Sequence, residues 1–193
     1  MQLSSSGTLT GVTGKSIDTY KLVLSNDVIS FDTNCFLSVN LQVLEISSSV
    51  TFIRRSPLNY GKLISIKVDL SNPVYTSRDE SGNEINGIIE IATKELIFGI
   101  TNTIIPKGVT SIGQLAFCQY RGTTIEIPDS VTTIGSEAFA QSNLCSITIP
   151  ASVTSIGPAV FYNCTSLVNI TTLSTIPPKY KSGYLTLGET NND

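Results

Sequence analysis

The sequence predicts a repeat solenoid, mainly β, in which short strands and single helical or 3-10 turns are stacked in about seven coils with one β-hairpin excursion. Three observations carry this prediction. The phrases IIPKGVTSIGQLAF, IEIPDSVTTIGSEAF and ITIPASVTSIGPAVF are three versions of one unit, with Ile-Pro pairs at Ile105, Ile127 and Ile149, so that 127−105 and 149−127 both equal 22. The same phase extends upstream, because Leu22, Leu44 and Ile66 are again 22 apart. Finally, one apolar face per unit is too little to fold alone, and a fixed period lets each unit bury that face against its neighbours.

In chain order, residues 1–20 carry Gly7, Gly11 and Gly14 among Ser and Thr, and read as a cap or arm. The solenoid is expected over 21–178. Its first strands are expected around Leu22 and Leu24; Leu41, Leu44 and Ile46; Leu63, Ile66 and Val68; Leu144, Ile147 and Ile149; and Leu167, Ile170 and Thr172. Pro106, Pro128 and Pro150 end strands, because proline gives no N–H to a ladder. A second short extended segment follows, with Val28, Val50, Val109, Val131 and Val153 and then Phe31, Ile53, Ile112, Ile134 and Ile156 pointing inward. Gly113, Gly135 and Gly157 close it, where a positive φ is expected; Asp32 and Arg54 replace glycine in two early units. Five residues beyond the isoleucine column comes a large apolar side chain, Phe36, Leu58, Phe117, Phe139 or Phe161, expected to stack on its equivalents. The intervening residues suffice for one helical or 3-10 turn.

The rhythm breaks once. Ile66 to Thr103 spans 37 residues, 15 more than one period, and the segment alternates apolar runs with a polar tip at 79–84. A hairpin insertion within 72–99 is expected, with strands at 74–75, 88–91 and 95–98 and turns at 78–83 and 92–94. After Thr172 the chain turns through Ile176-Pro177-Pro178, and 179–193, with Tyr184, Leu185 and Leu187, read as a C-terminal cap or a repeat cut short.

The phrase IPxSVTxIGxxAFxxCxxL, from Ile149 to Leu167 with Cys164, resembles the BspA-like leucine-rich repeats of bacterial surface proteins, and the variant at Asn72-Pro73-Val74-Tyr75 is similar to a repeat common there. The resemblance covers roughly 20–178. It implies a right-handed leucine-rich repeat stack, secreted or displayed on the cell, and some members of that family are adhesins. Two features depart from the leucine-rich pattern. The column that often holds an asparagine ladder is Asp27, Ser49, Gly108, Ser130 and Ser152, so coil-to-coil hydrogen bonding must be made differently. The cysteine three residues after the aromatic occurs only as Cys164.

Composition narrows the function. The 193 residues contain no His, which removes His-based nucleophile activation, general base catalysis and metal ligation. A net charge of −3 without a Lys/Arg run offers no footprint for nucleic acid or anionic lipid, and no apolar run is long enough for membrane insertion. Cys35, Cys118, Cys145 and Cys164 fall at different phases of the unit, so free thiols are expected rather than disulfides or zinc. Asp79, Glu80, Asn83 and Glu84 do not follow the EF-hand ligand order and read as a solvated hairpin tip. The sequons at Asn163 and Asn169 read as coincidental. No cofactor is expected.

What remains is a surface. Val23, Glu45, Lys67, Ile104, Glu126, Thr148 and Thr171 occupy the outward position between the two inward residues of each first strand, and should form one stripe able to meet a partner. The expectation is a non-enzymatic module for protein–protein or cell-surface interaction, located outside the cell or on its surface. A phage- or particle-associated structural or receptor-recognition module, and a carbohydrate-binding accessory domain, are the alternatives.

Overall fold

The computed structural model describes residues 2–3, 6–11, 21–32, 41–54, 63–176 and 178–180. Phe36, Leu58 and Cys35 therefore lie outside the described residues, as do most of 1–20 and 181–193. Among the described residues all regular structure is short strand, with no helix.

Two strands per unit build the first half of the stack. The second strands of successive units, β2 (Thr8–Gly11), β4 (Ser30–Asp32) and β6 (Phe52–Arg54), form one parallel sheet, edged by the antiparallel β1 (Gln2–Leu3). The first strands β3 (Lys21–Val23), β5 (Val43–Ile46) and β7 (Ser65–Val68) form another. Leu22 lies opposite Leu44 and Leu44 opposite Ile66, so the sequence period and the register are the same quantity. Inward residues are closed from solvent: Val28 and Val50 are 0% exposed and Phe31 is 2% exposed. Asp32 lies opposite Arg54, and their carboxylate and guanidinium meet at 3.7 Å where other units place glycine.

The excursion is a three-stranded antiparallel meander, β8 (Tyr75–Arg78), β9 (Glu84–Glu90) and β10 (Glu95–Gly99). Its last strand rejoins the stack, because β10 pairs in parallel with β11 (Ser111–Ile112), which continues into β12 (Thr133–Ile134), β14 (Ser155–Ile156) and β16 (Lys179–Tyr180). Both faces of the meander are buried. Ile88 and Ile97 join the core of the N-terminal half, while their neighbours Ile89 and Leu96 join the core of the C-terminal half. Successive strand side chains point to opposite faces, so the continuous apolar runs at 88–89 and 96–97 serve two cores at once. Asn72 fixes the entry. Its amide nitrogen donates to Ser47 O (2.8 Å) and Val50 O (3.0 Å), and its oxygen accepts from Val74 N (2.9 Å) and Tyr75 N (2.8 Å).

Past the second strands the expected helical turns are absent, and a run of β-turns takes their place. Ala116, Cys118 and Tyr120 close turns onto the carbonyls of Gly113, Leu115 and Phe117, while the alternate amides of Leu115, Phe117 and Gln119 donate to Ser136, Ala138 and Ala140 of the next coil. The next unit repeats this, with Glu137, Phe139 and Gln141 donating to Pro158, Val160 and Tyr162. Every second N–H therefore leaves its own coil, and a helix cannot form. Six left-handed residues lie within these turns, at Leu115, Glu137 and Ala159 and at Gln119, Gln141 and Asn163, with φ between 55° and 60°; Asn86 and Lys94 of the meander are the other non-glycine ones among the described residues. This corrects the expectation that Gly113, Gly135 and Gly157 take positive φ. Glycine at 135 and 157 answers a steric demand instead: a Cβ on Gly135 would lie 2.6 Å from Gln114 N, and one on Gly157 would lie 2.4 Å from Ser136 N.

The phenylalanine column packs as rings on rings. Phe117 and Phe139 stack at 5.4 Å and 5° between planes, and Phe139 and Phe161 at 5.9 Å and 15°. In the column that lacks asparagine, serine does the bonding, with Ser49 Oγ donating to Val28 O (2.8 Å) and Ser130 Oγ to Val109 O (2.7 Å). Ser152 Oγ, at the same phase, is buried without a partner among the described residues.

Two outcomes follow from this packing. Phe139 is fully buried between two rings, so Phe139→Ala should lower unfolding free energy by about 3–5 kcal/mol and Phe139→Leu by less than about 1.5, as measured by urea denaturation. Ala159 sits in a left-handed conformation that costs an L-residue roughly 1–2 kcal/mol, against roughly 0.4–1 kcal/mol for the added freedom of an unfolded glycine. Ala159→Gly should therefore raise stability by about 0.5–1 kcal/mol, the reverse of the usual effect of that substitution; a loss would contradict the turn geometry.

Candidate partner-binding face

The outward stripe is not continuous. Val23, Glu45 and Lys67 lie side by side in register on β3, β5 and β7. Thr148 and Thr171 lie opposite each other on β13 (Ser146–Ile149) and β15 (Asn169–Thr172). Ile104 and Glu126 sit between these sets in segments that form no strand. The stripe is thus brought together in three groups.

The β8–β9 turn marks the first division. Val68 N donates to Ser77 Oγ (2.9 Å), the Arg78 guanidinium reaches Val68 O (3.3 Å) and pairs with Glu84, and Ser77 Oγ also bonds Glu84 (3.3 Å). These contacts dock the base of the hairpin against the end of β7. Arg78 consequently borders a groove with Val23, Glu45, Lys67 and Asp69, whereas Asp79 and Glu80 border a second cleft with Ile104, Lys107, Tyr120 and Glu126. Val23 is 56% and Ile104 67% exposed, so each hollow has an apolar side chain beside its charges. Glu45 is held by Lys21 Nζ at 2.7 Å.

The acids of the hairpin are engaged locally. Asp79 accepts from the Asn83 side chain (2.9 Å) and from the amides of Asn83 (2.8 Å) and Ser81 (2.9 Å); these bonds, led by the Asn83 side chain, hold its carboxyl below the usual range. Asp69 is lowered in the same way by the Ser71 hydroxyl and amide. Glu80 meets Lys94 at 3.9 Å.

Tyr120 is the floor of the second cleft. Its ring lies edge-on to Phe117 at 5.4 Å, and its hydroxyl lies 3.1 Å from both Thr101 O and Thr124 O. Burial raises its phenol pKa. In the next coils the same column holds Ser142 and then Cys164, joined at 3.2 Å. The bulky ring therefore spans two neighbouring coils where later coils hold small side chains. Across that junction the first-strand ladder is missing: Ile104 N donates to Ile85 O (3.0 Å), and Ile125, Glu126 and Ile127 make no backbone hydrogen bond to any described residue. Sequence reasoning placed Ile104 and Glu126 on this face but missed Arg78, Asp79, Glu80 and Tyr120. The polar tip was visible as a break in the apolar pattern, but its position over the sheet depends on contacts distant in sequence.

Cys118, Cys145 and Cys164 are free, at unrelated positions along the coil. Burial, followed by the charge of Glu137 and the neighbouring Cys164, pushes the Cys118 thiol up to about 11. Because the folded value exceeds the unfolded one, this group's contribution to stability is complete below about pH 9 and declines as pH rises toward about 11. Iodoacetamide should label Cys118 at pH 8 at least tenfold more slowly in folded than in urea-unfolded protein, read by peptide mass spectrometry; equal rates would contradict its burial.

Stacked parallel strands, in-register core columns and an outward charged face define a leucine-rich-repeat scaffold. The chain belongs to the family described as "BspA type Leucine rich repeat region", which matches residues 15–81 and 95–181 in six copies and so omits all of β9 and the turn before β10. Among solved structures it is similar to a leucine-rich repeat protein from Eubacterium ventriosum, at 20% identity and a TM-score of 0.61, over 81% of this chain and 54% of that one. A leucine rich cell surface protein from Faecalibacterium prausnitzii gives 21% identity and a TM-score of 0.42, over 78% of this chain and 53% of that one. The chain thus spans about half the length of these two structures. No curated protein matches it in sequence. Among the described residues no helix is long and apolar enough to cross a membrane.

Proposed function

We propose that the chain is a non-enzymatic interaction module that holds a protein or cell-surface ligand on its first-strand face, as an adhesive part of a bacterial secreted or surface protein. The observation that carries this reading is the pair of hollows flanking the β8–β9 hairpin. Each combines charged groups with an exposed aliphatic side chain, one on the parallel β3–β5–β7 sheet and the other on the strandless coil segments beyond the hairpin. Glu45 and Lys67 face outward from adjacent strands, which suits recognition of a partner by mixed charge. The carboxylates of Asp79 and Glu84 are engaged in holding the hairpin, a structural role rather than a chemical one. Membership of a family with bacterial surface members supports the extracellular setting.

The test is solid-phase binding of the protein to extracellular matrix and to intact cells. The charge reversals Glu45→Lys, Lys67→Glu and Glu126→Lys, combined in one folded variant, should weaken binding at least tenfold. Binding that is absent on every surface, or unchanged in the variant, would overturn the reading.

A further inference from the structure

We infer that the cleft between the β8–β9 turn and the 124–128 segment accepts an extended, basic polypeptide segment, which pairs with the open main chain of Ile125, Glu126 and Ile127 as an added strand. This deepens the proposed function and rests on it, since it assigns a partner chemistry to one half of the same face.

Three independent features converge on such an occupant. The first is unpaired backbone. An extended segment inside a stack ordinarily bonds its neighbours on both sides, yet 125–127 bonds neither the coil before it nor β13 after it among the described residues. Strand-like main chain without a ladder is a template for another strand. The second is space. Tyr120, propped between Thr101 and Thr124, stands where later coils have Ser142 and Cys164, and the cleft beside it has a volume of about 600 Å³, within the usual range of binding pockets. Gly122 makes room for this ring, because a Cβ there would lie 2.4 Å from the Tyr120 ring and hydroxyl.

The third feature is charge. The cleft is lined by the carboxylates of Asp79, Glu80 and Glu126 and by the ammonium of Lys107, and Lys94 lies 3.9 Å from Glu80; three acids against two cations leave a net negative field that favours cationic side chains. Ile104 offers an apolar contact beside them. A β-strand presents alternate residues to opposite sides, so a segment that alternates aliphatic with Lys or Arg residues would turn its cations outward against Glu126 and the hairpin tip and its apolar side chains inward toward Ile105 and Ile127. The hairpin overhangs this position because Ser77 and Arg78 anchor its base to β7.

A random dodecapeptide display library, selected on the whole chain, tests the inference. Enriched peptides should alternate aliphatic and basic residues, and their synthetic forms should lose affinity at least tenfold with Glu126→Lys and with Ile104→Asp. Raising salt from 50 mM to 500 mM should also weaken them several-fold. In isotope-labelled protein the amides of Ile125 or Ile127 should become protected from exchange on binding. Lys179→Glu, on β16 of the second-strand sheet, should leave peptide affinity unchanged. Failure to enrich any peptide, enrichment of acidic ones, or indifference to Glu126→Lys and Ile104→Asp would overturn it. If matrix binding persists and still depends on Glu45 and Lys67, the broader function survives that failure. Loss of both would remove the two together.

Discussion

The described coils depend on hydrogen bonds handed from one coil to the next at a fixed offset, interrupted on the first-strand side between Ile104 and β13. In the turn runs, alternate amides donate to the following coil while the others close turns within their own. In the strands, Thr133 lies opposite Ser155 and Ile134 opposite Ile156. Thr132 Oγ1 and Thr110 O, and Gln119 and Gln141, repeat the same 22-residue spacing through side chains. One offset therefore sets the backbone ladder, the ring stack and the serine ladder. A side chain misplaced by one residue would lose all three, which is why a stack with few charges, and with no helix among the described residues, can hold a single register.

That offset also decides where variation is tolerated. Inside the coil, Gly135 and Gly157 lie so close to backbone of the neighbouring coil that no side chain fits. Outside it, the third-position residues of the turns accept leucine, glutamate and alanine despite their left-handed backbone, because coil-to-coil bonds on either side over-determine the geometry. Strain at these positions is thus distributed along the stack rather than confined to a site. The meander is the exception to the rhythm, and it is accommodated because its strands carry isoleucines on both faces and can wall off two cores.

Much of the fold was legible because the period is written directly in residue types. Phe117, Phe139 and Phe161, Ile112, Ile134 and Ile156, and the valine column all read as inward, and all of those residues are buried. Two local features were not legible. The AF segment looks long enough for a helical turn, and only the next coil's carbonyls reveal why alternate amides turn outward. The glycines look like turn residues, and only the coil spacing shows that they answer a close approach. The outward face was readable by phase but not by continuity: no periodicity announces that Arg78 lodges beside Lys67, or that Tyr120 opens the junction between Ile104 and Glu126. Both depend on the one irregular segment, where the repeat no longer guides inference.

The most direct measurement is to delete one repeat by phase. Removing residues 130–151, one 22-residue unit, joins Asp129 to Ser152 and restores the same phrase across the junction. Coil stacking predicts a shorter protein that still unfolds cooperatively in a thermal melt followed by circular dichroism, with a lower Tm. Removing 131–151 instead deletes 21 residues and shifts every later column by one position, and this variant should show no cooperative transition. Equal folding of the two deletions would contradict the dependence of this structure on a fixed coil-to-coil offset.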